Sequence, residues 1–193
     1  MRIAFSGSGG TGKTTLLNEI NKDLNLPIIG EGIREWLTEH GFSDFKQLGI
    51  KDVVKMQEDT LRRKMDIESN LQSFISDRST VDNLSYALRW IGSVENEYDT
   101  WMAQYITYAM NHANKNYDLI FILPWGELDL VNDGTRSTKT WYQYMIQSII
   151  ERHIYMLEGP MIYEVMSVPL EDRKNECLRI IESIKRNPDL GLQ

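Results

Sequence analysis

Eight residues near the amino end, Gly7-Ser8-Gly9-Gly10-Thr11-Gly12-Lys13-Thr14, confine the chain to a small set of folds. They match G-x-x-x-x-G-K-[ST] at every fixed position, and the flanks fit as well. Arg2–Ser6 reads as a short buried strand, and Lys13–Leu24 has helical periodicity. Between a strand and a helix, glycines let the backbone turn its N–H groups inward and form an anion cradle at the helix N-terminus. Lys13 can reach β- and γ-phosphates as a point charge, and the Thr14 hydroxyl can ligate Mg²⁺. A chance glycine turn would not explain both flanks. The expected nucleotide-binding set is therefore Gly7, Gly9, Gly10, Thr11, Gly12, Lys13, Thr14 and Thr15, with ATP and Mg²⁺ as ligands and Lys13 also catalytic.

The remaining elements alternate. Residues 26–30 form a second apolar run that ends at Glu31, and helical stretches follow at 32–40 and 51–72. Residues 73–76 are short and hydrophobic and lead into Asp77-Arg78; helices are expected at 81–91 and 99–113. Residues 117–124 (YDLIFILP) are apolar on both faces, as a central strand requires. A polar, turn-rich stretch at 126–139 follows, then an amphipathic helix at 140–157, a strand at 161–165 and the helix Leu170–Arg186. Strands alternating with helices imply an α/β three-layer sandwich, a mostly parallel sheet covered on both faces. Residues 1–193 are expected to form one domain, with a lid at about 126–140.

Composition limits the partners. A chain of 193 residues suffices for one full core, and 41% hydrophobic with 25% charged residues is ordinary for a soluble domain. No apolar run approaches the roughly 20 residues that span a bilayer, so no membrane partner is expected. The N-terminus lacks a signal-peptide core and enters its first motif almost at once, so the chain is expected to begin inside its domain and to be cytoplasmic. The one cysteine, Cys177, excludes an internal disulfide and reads as a small buried hydrophobe. A net charge of −7 disfavours a duplex-DNA binder and points to a small-molecule partner.

Three further features bear on the chemistry. Phe74-Ile75-Ser76-Asp77-Arg78-Ser79 is a strand ending in an acid–base pair, near the nucleotide in an open α/β sheet. Asp77 can hold Mg²⁺ through water, and Arg78 can neutralise charge on a transferred phosphoryl group; the plain alternative is a strand-end salt bridge. Glu31, followed by Arg34, can accept a proton from an attacking hydroxyl, or can simply be a first-turn acid favoured by the helix dipole. Asp133-Gly134-Thr135-Arg136-Ser137-Thr138-Lys139 can close over phosphates and exclude water, or can be a solvated loop.

Together these residues resemble the small P-loop kinases grouped around the nicotinamide riboside kinase domain and an AAA-type ATP-binding family, and more distantly the deoxynucleoside and thymidylate kinases. The resemblance spans nearly the whole chain. It rests on the phosphate loop, Glu31 with Arg34, Asp77-Arg78 followed by Asp82 and Tyr86, Asp133 to Arg136, and 167–173 before the last helix. It implies a five-stranded parallel sheet of order 2-3-1-4-5, ATP·Mg²⁺ as donor, and a hydroxyl or phosphate of a nucleoside-like molecule as acceptor. Arg136 would be the lid arginine, and Arg173 would lie beside the adenine. Related deoxynucleoside kinases commonly carry Glu where this chain has Asp77, which leaves Asp77 as metal ligand or as base, and Glu31 as the favoured base.

On the acceptor side, Trp36, Tyr86, Arg89 and Trp90 fall near the ends of the second and third strands. Arg34, Trp36, Tyr86 and Arg89 are the expected substrate contacts, with core packing the alternative for the aromatics. His40, His112 and His153 are scattered over different helices and make no metal site. Trp141-Tyr142-Gln143-Tyr144 reads as packing beneath the lid. Two rival functions stay open: a kinase whose hydroxyl sits on a hydroxymethylated base in DNA, and a nucleotide-dependent switch. No Asn-Lys-x-Asp guanine-reading motif is present. A homodimer is a further expectation.

Overall fold

The computed structural model describes residues 1–91, 96–129 and 139–187. Five parallel strands, β1 (Arg2–Ser6), β2 (Ile28–Ile29), β3 (Phe74–Asp77), β4 (Leu119–Ile122) and β5 (Met161–Glu164), form one sheet in the order β2-β3-β1-β4-β5. This is the order implied by the kinase resemblance. Among the described residues seven α-helices accompany them: α1 (Lys13–Leu24), α2 (Ile33–Glu39), α3 (Ile50–Ser69), α4 (Thr80–Ile91), α5 (Asp99–Asn116), α6 (Thr140–Ile154) and α7 (Leu170–Arg186).

Strand periodicity explains the layers. Ile3, Phe5, Ile75, Leu119 and Phe121 project to one face and pack with Leu16, Leu17 and Ile20 of α1 and Cys177 and Ile181 of α7. Ala4, Phe74, Ile120 and Ile122 project to the other and meet Val81 of α4, Ala113 of α5, and Ile146, Ile150 and Ile154 of α6. Because both faces are covered, the central strands read as continuous apolar runs. Cys177 is wholly buried, as expected.

Boundaries follow local chemistry. β1, α1 and α7 have the limits expected of them. β2 is only two residues long because it is an edge strand paired on one side, with Ile28 46% exposed. α5 runs on to Asn116, where His112 and Asn116 bond side chain to side chain within the helix. Residues 155–160 leave α6 tightly against the end of α5: the Asn114 side-chain carbonyl accepts the N–H groups of Glu158 (2.8 Å) and Gly159 (3.1 Å). A Cβ on Gly159 would lie 1.9 Å from the Asn114 backbone oxygen. Gly159→Ala is therefore expected to destabilise the fold by about 2–3 kcal/mol, read as a lower urea midpoint with unchanged m-value.

Candidate active site

The phosphate loop leaves β1 between β3 and β4, and its geometry depends on glycine at two kinds of position. Gly10 and Gly12 turn through φ 87° and 83°, which a side chain opposes. At Gly7 a Cβ would approach the Leu123 carbonyl to 2.7 Å, so the loop lies directly on the end of β4. Helix α1 then begins at Lys13 with no side-chain cap, leaving its first N–H groups to a ligand.

Neighbouring helices hold the start of this loop. Asp82 of α4 accepts the Gly7 N–H (3.0 Å) and also the Ser79 N–H (2.9 Å) and hydroxyl (2.8 Å). From α6, Gln147 accepts the Ser8 N–H (2.7 Å) and donates to the Leu123 carbonyl (3.2 Å), while Gln143 accepts the Gly9 N–H (2.9 Å). Neither glutamine was singled out as a site residue from sequence. A buried Gln pair spaced i, i+4 on an otherwise amphipathic helix is the only signal, and it names no partner.

Lys13 folds back on the loop, donating to the Ser8 carbonyl (2.6 Å) and the Thr11 hydroxyl (3.1 Å). Burial, and then the charge of Arg78, lower its pKa to about 7, although Asp82, Asp77 and Glu31 oppose the shift. The Thr14 hydroxyl donates to Asp77 (2.6 Å), which brings the two expected metal ligands together. Among the described residues no group of three or more His, Cys, Asp or Glu side chains can hold a metal. One carboxylate and one hydroxyl, all oxygen, suit Mg²⁺ shared with phosphate oxygens. The buried Ser8 hydroxyl and Arg173 Nη2 have no partner, as expected of a cradle built for a polar ligand.

Arg78 is the joint of the site. Its Nε donates to Glu31 at the end of β2, and its Nη1 donates to the Gly7 carbonyl (3.0 Å). Its guanidinium carbon also stands 5.0 Å over the Tyr86 ring. To reach these partners its backbone adopts φ 76°, a left-handed conformation that costs a residue with a Cβ about 1–2 kcal/mol. Burial alone would raise the Glu31 carboxyl, but the charge and hydrogen bond of Arg78 outweigh it and hold the pKa below its usual value. Glu31 is therefore ionised at neutral pH.

The other expected residues divide. Arg34 is exposed on α2, and its charge also acts on Glu31. Thr15 is exposed on the first turn of α1. Arg89 stands over Tyr142 of α6 (5.7 Å). Arg173 is 2% exposed and donates to the carbonyls of Thr11 (2.9 Å) and Ser167 (2.7 Å), tying the phosphate loop to the segment before α7. Trp36 departs from expectation: it is 3% exposed, stacked on His40 (3.9 Å), with its indole N–H on Asp59 (3.0 Å). As placed it holds α2 against α3, and the little of it that is exposed lines a pocket with Asp59 and Arg63. Trp141 and Tyr144, read as packing, are 58% and 59% exposed because they point away from the sheet-facing stripe of α6. Arg136 and the rest of 130–138, with most of the expected lid, lie outside the described residues.

Residues 2–173 match the family model described as an AAA domain. The chain belongs to this AAA domain family. No curated protein matches it. Among solved structures, this AAA domain is similar to deoxyadenosine kinase from M. mycoides, with a TM-score of 0.68 at 20% identity over 95% of this chain and 100% of that one. It is also similar to thymidylate kinase from Candida albicans, with a TM-score of 0.63 at 15% identity over 95% and 91%. For NadR protein the TM-score is 0.63 at 18% identity over 93% of this chain and 48% of that one. The fold is thus that of the P-loop small-molecule kinases.

A phosphate entering the loop of this AAA domain must meet a charged Lys13. Free Lys13 titrates near pH 7 and bound Lys13 stays protonated, so binding takes up a proton between about 7 and the ordinary value of 10.5. Affinity for a nucleotide should therefore fall as pH rises above 7. Calorimetry at pH 8 in buffers of different ionisation enthalpy should show a buffer-dependent binding heat; identical heats would mean that Lys13 is already charged in the free protein.

Proposed function

We propose that this chain is an ATP-dependent phosphotransferase that passes the γ-phosphoryl group to a hydroxyl or phosphate of a nucleoside, nucleotide or related small molecule. The observation that carries the reading is the reach of Arg78: one guanidinium joins the phosphate loop at Gly7 to the carboxylate of Glu31. A nucleotide switch needs the loop alone, whereas a partly buried acid held beside it can take a proton from an attacking hydroxyl. Net charge −7 supports a small acceptor over a polymer. Proteins of similar fold hold nucleotides too: the M. mycoides deoxyadenosine kinase is seen with bound dATP and NadR with AMP-PNP. A cytoplasmic setting goes with such a substrate.

The chemistry follows from the placement of the groups. The acceptor oxygen attacks the γ-phosphorus in line, forming its O–P bond as the bond to the β-phosphate oxygen breaks and ADP leaves. The acceptor proton passes to Glu31, which its partner Arg78 keeps ionised and oriented. A loose transition state needs little proton transfer until late, so a weak base in the right place suffices. Lys13 and Arg78 would supply positive charge to the phosphate oxygens where charge collects. Thr14 and Asp77 would hold Mg²⁺, whose chemistry would be to neutralise negative charge on the nucleotide phosphates.

The direct test is transfer of label from γ-labelled ATP to pools of nucleosides, nucleotides and hydroxymethylated DNA. Label on a small molecule is expected; label only on DNA would make the polymer the acceptor, and label only in free phosphate would sink the transferase reading. Lys13→Ala should abolish transfer with no loss of thermal stability, because that ammonium is desolvated and held only by neutral oxygens. Glu31→Gln should lower kcat by about 10²-fold with ATP KM little changed. Full turnover in that variant would remove Glu31 as base.

A further inference from the structure

Two described non-glycine residues have positive φ, Asn25 and Arg78. Asn25 ends α1, where Asn commonly turns left-handed. Arg78 stands at a strand end, and such strain persists only where the surroundings over-determine it. Phe5 and Asp82 hold the backbone of Arg78 and Ser79, and the residues just beyond them converge on one further carboxylate, Glu68. Two residues before Arg78, the Ser76 hydroxyl donates to Glu68 Oε1 (2.6 Å). Two residues after it, the Thr80 N–H donates to the Tyr117 hydroxyl (3.1 Å), which itself donates to Glu68 Oε2 (2.8 Å).

Glu68 is wholly buried on α3 and has two more donors. Lys64 Nζ lies 3.3 Å from Oε1, and His112 Nε2 lies 2.7 Å from Oε2. A neutral imidazole with its hydrogen on Nε2 satisfies Glu68 and also accepts from Asn116 at Nδ1 (3.2 Å). Burial alone would raise the Glu68 carboxyl, but Lys64 and the hydrogen bonds hold it below its usual value. Burial, and then Glu68, push the Tyr117 phenol well above its own, so Tyr117 keeps the proton that it donates. A fully satisfied buried network of this kind is rigid, and removing one member leaves others unpaired.

We propose that Glu68 is a positioning residue: through Ser76 and Tyr117 it grips the backbone on both sides of Arg78 and holds the left-handed turn that aims the guanidinium at Gly7 and Glu31. Its effect on turnover rests on the kinase reading above; the grip itself is a property of the Arg78 backbone and is testable without activity.

Tyr117→Phe removes the hydroxyl and keeps the ring beside Phe74 (6.2 Å) and His112 (6.0 Å). Combined with Arg78→Gly in a thermal-unfolding cycle, it separates grip from packing. Glycine is at ease at positive φ, so Arg78→Gly relieves strain while the grip is intact and relieves none once Arg78 is free to relax. The expected result is that the midpoint change caused by Arg78→Gly differs by about 3 °C between the Tyr117→Phe background and the wild type, because strain and guanidinium contacts both depend on the grip. Additive midpoints would overturn the proposal. Well below the midpoint, Tyr117→Phe should lower kcat about tenfold with ATP KM within about twofold, a split that general loosening would not give. Wild-type kcat in that variant would also overturn it. Coupled midpoints in a protein that transfers no phosphoryl group would uphold the grip and sink only the kinase reading. If Tyr117→Phe does not fold, Ser76→Ala cuts the other tether and takes its place in the same cycle.

Discussion

The pairing of β1 between β3 and β4 sets the position of every group in the candidate site. In register, Phe5 lies opposite Asp77 and Ser6 opposite Ile122. The ladder continues past the strand ends, with the Arg78 N–H on the Phe5 carbonyl (3.0 Å) and the Leu123 N–H on the Ser6 carbonyl (2.9 Å). The phosphate loop therefore leaves a slot whose two walls, Arg78 and Leu123, are hydrogen-bonded to the last residues of β1. A one-residue slip would turn Phe5 toward the α4–α6 face and carry Asp77 away from Thr14. With Phe5 and Phe121 buried on one face and Ala4 and Ile120 on the other, such a slip is excluded by the core itself.

Charge explains why the loop alone is not enough. Around Lys13 lie one further basic group, Arg78, and three acidic ones, Asp82, Asp77 and Glu31. A site so balanced does not attract a polyphosphate by charge. Its affinity must come from oriented N–H groups and from cations brought with the ligand, which is what a metal-chelated nucleotide supplies. The same surplus keeps Arg78 protonated and extended between Glu31 and Gly7, although burial works against its charge. The acids thus serve the arginine before they serve any substrate.

What was legible in the sequence was what the backbone dictates locally. The phosphate loop fixes β1 and α1 because glycine spacing and apolar periodicity act over a few residues, and Asp77-Arg78 is visible as a polar end to an apolar strand. Sheet order came by likeness, since nothing in a strand names its neighbour. Partnerships across long separations were not legible. Arg78 reaches Gly7 across 71 positions, and Gln147 reaches Ser8 across 139. Trp36 misled for the same reason: a tryptophan after a candidate base is equally a ring for a substrate and a ring for the core, and Asp59 on α3 fixes it in the core. Likewise nothing near His112 in the sequence names Glu68, with which it pairs in the interior.

The two helical layers divide the work. The α1–α7 layer meets the sheet through Leu16, Leu17, Ile20, Cys177 and Ile181, contacts that need only apolar volume and tolerate conservative exchange. On the other face, α3 to α6 bury Lys64, Glu68, Asp82, His112, Gln143 and Gln147. Each of these six groups costs desolvation that an apolar residue of the same size would avoid, and each is tied to the phosphate loop, to β3 or to another of the six. Such a layer is a poor way to gain stability and a good way to gain direction, because a hydrogen bond fixes an angle that dispersion leaves loose. The sheet end that must hold a loop, a strained arginine and a base in fixed relation is backed mainly by polar contacts from α3 to α6, and from the other layer Arg173 of α7 adds one more, on the Thr11 carbonyl.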